Sequence, residues 1–313
     1  MESSELQSRC ASLVTRFRDR PDTSARALLV TVFGDVVEPR GGEVWIGSLV
    51  RLVDPLGINE RLVRTSLNRL VNEGLLAARR IGRRGFYSVT KPAHHEFRSA
   101  EERIYGRRRG AWDGLWTVLV EIDELAGPIR IQLRQRLAWL GFGPLAGGVQ
   151  ACPADRSGDV ASLLEELSLT TSAAVFQARA LPLAGITDRA LVETTSDLEG
   201  LRLSWHSFLG RFGPLAEAAE GSAEVVEPQT AFLARILLVH SYRRVVLREP
   251  DLPAELWPVG WVGETGYATA GRLYRALTRS AHQHVESVGE TPDGPFPALD
   301  SRYRQRFAAA ADR

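Results

Sequence analysis

Two sets of side chains in this sequence have the types and spacing to act on a polyanion. The first is Arg61, Thr65, Asn68 and Arg69, with Arg64 at their shoulder, all within Asn59–Asn72. A guanidinium offers two parallel N–H donors to the O6 and N7 acceptors of guanine, and a carboxamide pairs in the same bidentate way with adenine. The second set is Arg79, Arg80, Arg83 and Arg84, gathered around Ile81-Gly82 on a segment too short to bury anything. Such a projection suits a grip on phosphate or insertion into a minor groove. Between Asn59 and Lys91 there are eight basic and two acidic residues, a local charge of +6, while the rest of the chain carries −5 and the whole only +1. A solvated helix face would tolerate the first set equally well. It is the second set, next to it, that turns the expectation toward double-stranded DNA.

The elements that must position these groups are legible from caps and periodicity. Ser24 is placed to cap a helix in which Leu28, Leu29, Val32, Phe33 and Val36 share a buried face. Pro39-Arg40-Gly41-Gly42 breaks it, and Trp45–Val53 has the spacing of a short second helix. Asn59 is an N-cap for a third, whose apolar stripe is Val63, Leu67, Leu70 and Val71, with Gly74 as its left-handed stop. Arg61, Thr65, Asn68, Arg69 and Asn72 then face outward. A hairpin follows, Leu75–Arg80 and Phe86–Thr90, tipped by Ile81-Gly82-Arg83-Arg84-Gly85.

Downstream, residues 92–110 form a charged connecting helix ending in Arg107-Arg108-Arg109-Gly110. Residues 111–182 alternate strand and helix: strands at Leu115–Ile122, Pro144–Ala151 and Ala173–Ala180, helices at Pro128–Leu140 and Asp159–Leu167, and room for one more short strand. That order suggests a small ferredoxin-like α/β sandwich, a candidate dimerisation domain. Residues 183–290 are mainly helical and residues 291–313 form a tail with little pattern, while residues 1–24 read as a weakly ordered lead-in or a peripheral helix. The fold class is α+β multidomain, with a winged helix-turn-helix at 25–91.

The runs Leu28-Leu29-Val30-Thr31-Val32-Phe33-Gly34-Asp35, Pro39-Arg40-Gly41-Gly42-Glu43-Val44-Trp45 and Gly57-Ile58-Asn59-Glu60-Arg61-Leu62-Val63-Arg64-Thr65 resemble the PaaX family of bacterial transcriptional regulators. So do Tyr105, Trp112-Asp113-Gly114-Leu115-Trp116, Trp139-Leu140-Gly141-Phe142-Gly143-Pro144-Leu145, Leu238-Val239-His240-Ser241-Tyr242-Arg243-Arg244 and Leu252-Pro253-Ala254-Glu255-Leu256, which together span nearly the whole chain. The resemblance implies a homodimeric repressor of aromatic-catabolic genes with a palindromic operator, released by an aryl-acyl-CoA effector such as phenylacetyl-CoA. His240, Tyr242, Arg243, Arg244 and Arg248 are the densest polar patch outside the DNA segment. Arginines beside an aromatic ring would suit the phosphates and adenine of such a thioester. The same side chains would equally serve as helix caps or ion pairs.

An enzymatic alternative rests on Glu121-Ile122-Asp123 at the end of the first middle-domain strand. A carboxylate there, paired across a two-fold axis, resembles the metal-dependent nucleases of CRISPR adaptation and could hold Mg²⁺. Asp123 is also simply a turn residue. His282 and His284, two apart, would lie on different faces of a helix and make a poor metal pair. No nucleophile elbow or phosphate loop of the usual spacing occurs, so no catalytic residue, metal or cofactor is expected. Cys10 and Cys152 are too few and too far apart for a disulfide framework, no stretch reaches the ~18 apolar residues of a membrane span, and a cytoplasmic protein is expected.

Overall fold

The computed structural model describes residues 5–106, 111–181, 185–220, 225–297, 299, 303 and 306–308. The arginine run Arg107-Arg108-Arg109 lies outside them. Internal contacts divide the chain into two compact units, one of Met1–Arg107, Trp205–Leu247 and Gly263–Arg313, the other of Arg108–Ser204 and Arg248–Val262.

The first unit begins with α1 (Glu5–Asp19), an ordered helix rather than a loose lead-in. Leu6, Cys10, Leu13 and Phe17 recur on one face and are buried. Ser24 caps α2 (Ala25–Val32) as expected, its Oγ accepting from the Ala27 N–H at 3.2 Å. The helix runs on through a wide π-type turn, Phe33–Val37, closed by the Glu38 N–H on the Phe33 carbonyl. Next come β1 (Glu43–Trp45), too short to announce itself by alternation, and α3 (Ile46–Val53). The helix α4 (Glu60–Asn72) carries the anticipated cap, with Asn59 Oδ1 accepting from the Leu62 N–H at 3.1 Å. Val63, Leu67 and Leu70 are buried beneath it, and Gly74 leaves it at φ 75°. Strands β2 (Leu76–Ile81) and β3 (Arg84–Val89) form the hairpin. Its tip is tighter than the five residues expected. Ile81 pairs with Arg84, which leaves Gly82-Arg83 as the turn, with Gly82 at φ 59°. Arg84 is therefore a strand residue. With β1 the hairpin completes a three-stranded antiparallel sheet ordered β1-β3-β2. Thr90 caps α5 (Lys91–Tyr105).

The second unit contains β4 (Trp116–Glu121), α6 (Gly127–Trp139), β5 (Gly143–Ala146), β6 (Val149–Cys152), α7 (Ser157–Glu166) and β7 (Ala173–Ala178). All pairings are antiparallel in the order β5-β6-β4-β7, the ferredoxin-like topology. The single strand expected at Pro144–Ala151 is two, because Gly147-Gly148, with Gly148 at φ 75°, turns the chain back on itself. Leu119, Leu133, Leu137, Phe142, Val160 and Leu163 make the core between sheet and helices. The helix α8 (Asp188–Thr195) follows, capped by Thr187.

The remaining helices, α9 (Leu198–Ala219), α10 (Pro228–Val246) and α11 (Val262–Val288), contribute Trp205 onward, all of α10 and Gly263 onward to the first unit. Every residue of α10 from Ala231 to His240 is buried, and the helix packs against α1, α2 and α5. Periodicity marks such a helix but not its neighbours, so residues 183–290 look separate in sequence while much of them shares a core with residues 5–105. The tail is not patternless, since β8 (Glu290–Thr291) and β9 (Gly294–Pro295) form a small hairpin. At the centre Asp35, fully buried on the π-type turn, accepts from Tyr105 Oη (2.8 Å), Tyr274 Oη (3.2 Å), Arg235 Nη2 (3.1 Å) and Arg306 Nη1 (2.9 Å). One carboxylate thus joins four distant segments.

Candidate nucleic-acid interface

The anticipated outward face of α4 is real. Arg61, Arg64, Thr65, Asn68, Arg69 and Asn72 are all exposed, over a stripe that includes the buried Ser66. Their states differ. Thr65 Oγ1 donates back to the Arg61 carbonyl at 2.9 Å, which holds its rotamer while leaving its lone pairs to accept. Arg64 is held by Glu60 one turn earlier, at 2.6 Å. Arg61 and Arg69 have no ion-pair partner among the described residues, and neither does Arg83 at the hairpin tip.

Beside α4 the hairpin closes a cleft of about 710 Å³, lined among others by Trp45, Arg64, Arg79, Arg80, Arg83 and Arg84. Arg64 of the helix set and all four hairpin arginines thus line one cleft, with Glu60 beside Arg64. Arg61, Thr65, Asn68 and Arg69 lie on the open helix face outside the cleft lining. The hairpin arginines are partly committed. Arg79 makes a fork–fork pair with Glu43 of β1, which raises its pKa through the hydrogen bond to that carboxylate. The Arg80 Nε donates to the Gly82 carbonyl at 3.0 Å, bracing the turn.

Arg84 reveals what the sequence concealed. Its guanidinium lies 4.5 Å from the centroid of the Trp45 ring, and that of Arg51, on α3, lies 5.3 Å from the same ring. The Glu290 carboxylate is held between them, 2.8 Å from Arg84 and 2.7 Å from Arg51, and these two hydrogen bonds keep it below the usual carboxylate range. The Glu290 N–H also donates to Ser48 Oγ at 3.0 Å. Gly47 permits the arrangement, because a Cβ there would collide with the Trp45 ring. Trp45, Arg51 and Glu290 were not among the anticipated site residues. The one local signal for them, a tryptophan two residues before a glycine at a helix start, does not say which charges will meet there.

The five residues considered for an effector do not make one open patch. His240 is buried between Thr31 Oγ1 (2.9 Å) and Thr23 Oγ1 (3.0 Å), and desolvation pushes its pKa down to about 4. Tyr242 is buried among Trp205, Phe208 and Phe307. Arg243 is largely desolvated, which lowers its pKa, while Arg244 and Arg248 are exposed. Arg248 belongs to the second unit, where it reaches Ser204 Oγ at 3.4 Å, and the other four belong to the first. The apolar surroundings of α10 bury His240 and Tyr242 and leave Arg243 half-buried and Arg244 exposed.

Asp123 is exposed in the loop after β4, and no group of three metal-ligating side chains occurs among the described residues. Of the tryptophans, Trp205, Trp257 and Trp261 are buried in packing, whereas Trp139 is 83% exposed. Burial pushes the Cys10 thiol up to about 12 and that of Cys152 to about 11, as packing residues would show. No helix among the described residues is long and apolar enough to cross a membrane.

Three family models match the chain: PaaX-like protein over residues 24–93, the PaaX protein central Cas2-like domain over 109–192, and the PaaX-like protein C-terminal domain over 196–287. The chain is 38% identical over 285 residues to the transcriptional repressor PaaX of Escherichia coli (strain K12), an alignment that covers 91% of this chain and 90% of that protein. Among solved structures it is similar to the uncharacterized protein Rv0674 from Mycobacterium tuberculosis, at 23% identity and a TM-score of 0.49, over 89% of this chain and 99% of that one.

Proposed function

The chain belongs to the PaaX-like family, and from that premise we propose that it is a transcriptional repressor whose α2–β3 segment is a winged helix that binds double-stranded DNA. The observation that carries this reading is the basic cleft shared by α4 and the hairpin, beside the exposed Arg61, Thr65, Asn68 and Arg69. In it α4 enters the major groove, where Asn68 and Arg61 or Arg69 read base edges. The hairpin follows the backbone, with Arg83 and Arg84 against phosphate. As a homodimer the protein would meet an inverted repeat with half-sites spaced by about one helical turn or a multiple of it. The exposed Trp139 on α6 makes the ferredoxin-like domain the natural place to test for self-association.

The effector in this reading is an aryl-acyl-CoA such as phenylacetyl-CoA, and its effect is a population shift. It must bind a DNA-incompetent arrangement more tightly than the competent one. Of the patch named in the sequence, Arg244 is the exposed residue of the first unit. The protein acts by binding rather than catalysis, and the Asp123 nuclease alternative predicts Mg²⁺-dependent cleavage that disappears in Asp123→Ala.

Selection of bound duplexes from a random library, followed by anisotropy titration across a salt series, tests the reading. The expected result is an enriched inverted repeat, bound with a steep inverse dependence on salt. Recovery of no preferred sequence together with salt-independent affinity would remove DNA from the function. Titration of the complex with phenylacetyl-CoA against phenylacetate then tests the effector, with release by the thioester alone as the expected outcome.

A further inference from the structure

Around Arg40, Arg235 and Arg306 the first unit brings together more cations than carboxylates in ion-pair contact with them. Arg40 is 1% exposed, and its one side-chain hydrogen bond runs from Nη1 to the Val36 carbonyl at 3.0 Å. Its Nη2 has no partner, and no carboxylate of the described residues lies within ion-pair distance. Asp35 and, more weakly, the exposed Glu286 of α11 attract it only through space. Arg235 is fully buried and gives Nη2 to Asp35, while its Nε and Nη1 have no partner. Arg306 is shared by Asp35 and Glu101. Three buried guanidiniums thus face two carboxylates, of which Asp35 is buried and Glu101 partly exposed.

Arg40, Tyr303 and His282 are neighbours, and the charge of Arg235 acts on all three through space. The Arg40 guanidinium lies 6.0 Å from the Tyr303 ring centroid, and the Tyr303 and His282 rings are 5.3 Å apart. Tyr303 Oη and His282 Nε2 are also buried without partners. Desolvation together with the repulsion of Arg235 and Arg40 pushes His282 down to about 3, so it stands as a neutral imidazole able to donate one N–H. Guanidinium groups have no acceptor atoms. The two guanidiniums only donate, the Tyr303 hydroxyl and the neutral imidazole can each turn a hydrogen toward a shared partner, and the excess cation matches an acceptor that brings one negative charge. A bridging water would meet the hydrogen bonds and leave the charge unbalanced, which in a dry interior is strongly unfavourable.

We propose that Arg40 and Arg235, with His282 and Tyr303, form an internal binding site for a small monoanion, either a halide or the carboxylate of a small organic acid. The anion supplies the counter-charge that Arg40 lacks, and by joining α10, α11 and the segment after α2 it ties the C-terminal helices to the residues that precede α4. This site is independent of the DNA surface and of the proposed thioester effector.

The test is thermal denaturation of the full chain in sodium gluconate, with chloride or formate exchanged in at constant ionic strength. Wild type is expected to show a saturable rise in Tm of roughly 5 °C, and the anion that saturates at the lower concentration identifies the ligand class. Arg40→Met, which keeps the volume and removes the charge, is expected to lose the dependence. Where that variant does not fold, His282→Leu decides, with a half-saturating concentration raised several-fold. A Tm that rises without saturation or not at all in wild type, or a saturation left unchanged by the folded variant, overturns the site.

Discussion

The Arg84 guanidinium donates to the Glu290 carboxylate across 206 residues of sequence, at 2.8 Å. The same carboxylate accepts from Arg51, and both guanidiniums lie over Trp45. Glu290, on β8, is thus held between one guanidinium of the hairpin and one of α3, and in the proposed DNA complex a phosphate would compete with it for both. Removing its charge should free two cations for the backbone. Glu290→Gln is therefore expected to raise affinity for DNA of any sequence and to steepen the log K against log[salt] slope by about one to two, as read by anisotropy across a salt series. An unchanged slope would place Glu290 outside the interface.

The two basic sets should fail differently. Asn68→Ala on α4 should relax base preference, costing about 1–3 kcal/mol on the preferred site and little on unrelated DNA. Arg83→Ala combined with Arg84→Ala should weaken binding to all sequences and flatten the salt slope by about two. Titration of a preferred and a scrambled duplex with both variants separates the outcomes, and equal losses on both duplexes for Asn68→Ala would remove it from base readout.

Asp35 is the only carboxylate that contacts both Arg235 and Arg306 among the described residues, and those two cations hold it below the usual carboxylate range despite its burial. Asp35→Asn keeps the shape and leaves two guanidiniums without that partner. Loss of one member of a buried ion pair costs about 3–5 kcal/mol, so urea denaturation at neutral pH should show a midpoint far below that of wild type. A change within about 0.5 kcal/mol, the size usual for surface substitutions, would contradict the role assigned to the cluster.

His240 makes stability depend on mildly acidic pH. Its pKa in the folded state is about 4, below the usual histidine value because burial disfavours the cation. The contribution is therefore fully present above about pH 6.5, where the unfolded histidine is neutral as well, and is lost as pH falls toward the folded value. A shift of this size corresponds to about 3 kcal/mol. His240→Gln, with one group to accept from and one to donate to Thr31 and Thr23, should flatten the fall in stability between pH 6.5 and 4. Parallel pH profiles for the two proteins would refute it.

Much of the geometry of the proposed DNA surface was legible because its determinants are local. Asn59 caps α4 three residues from the N–H it accepts, Gly74 ends it by adopting a positive φ, and the 3.6-residue period assigns Val63, Leu67 and Leu70 to the core, and hence Asn68 and Arg69 to the solvent. The hairpin was equally plain, though its register was not. A shift of the turn to Gly82-Arg83 is settled by which residues pair, and that moved Arg84 from the tip into the strand beside Trp45.

The α10 residues mark the other limit. His240, Tyr242 and Arg243 look like a polar patch because side-chain type suggests exposure, yet the helix they ride on is enclosed by α1, α2 and α5. A polar residue can be buried wherever its hydrogen bonds are met, and His240 has two threonines from before and within α2 to meet them. Sequence alone determined where helices start, stop and turn their faces, since caps, glycines and periodicity act within a few residues. Only the tertiary structure decided which charges meet. The links from Glu290 to Arg84 and from Asp35 to Arg235 and Arg306 span 206, 200 and 271 residues. The free energy of a buried or stacked charge depends on the partners and the dielectric that the collapsed chain brings to it, and neither is written in the residues beside it.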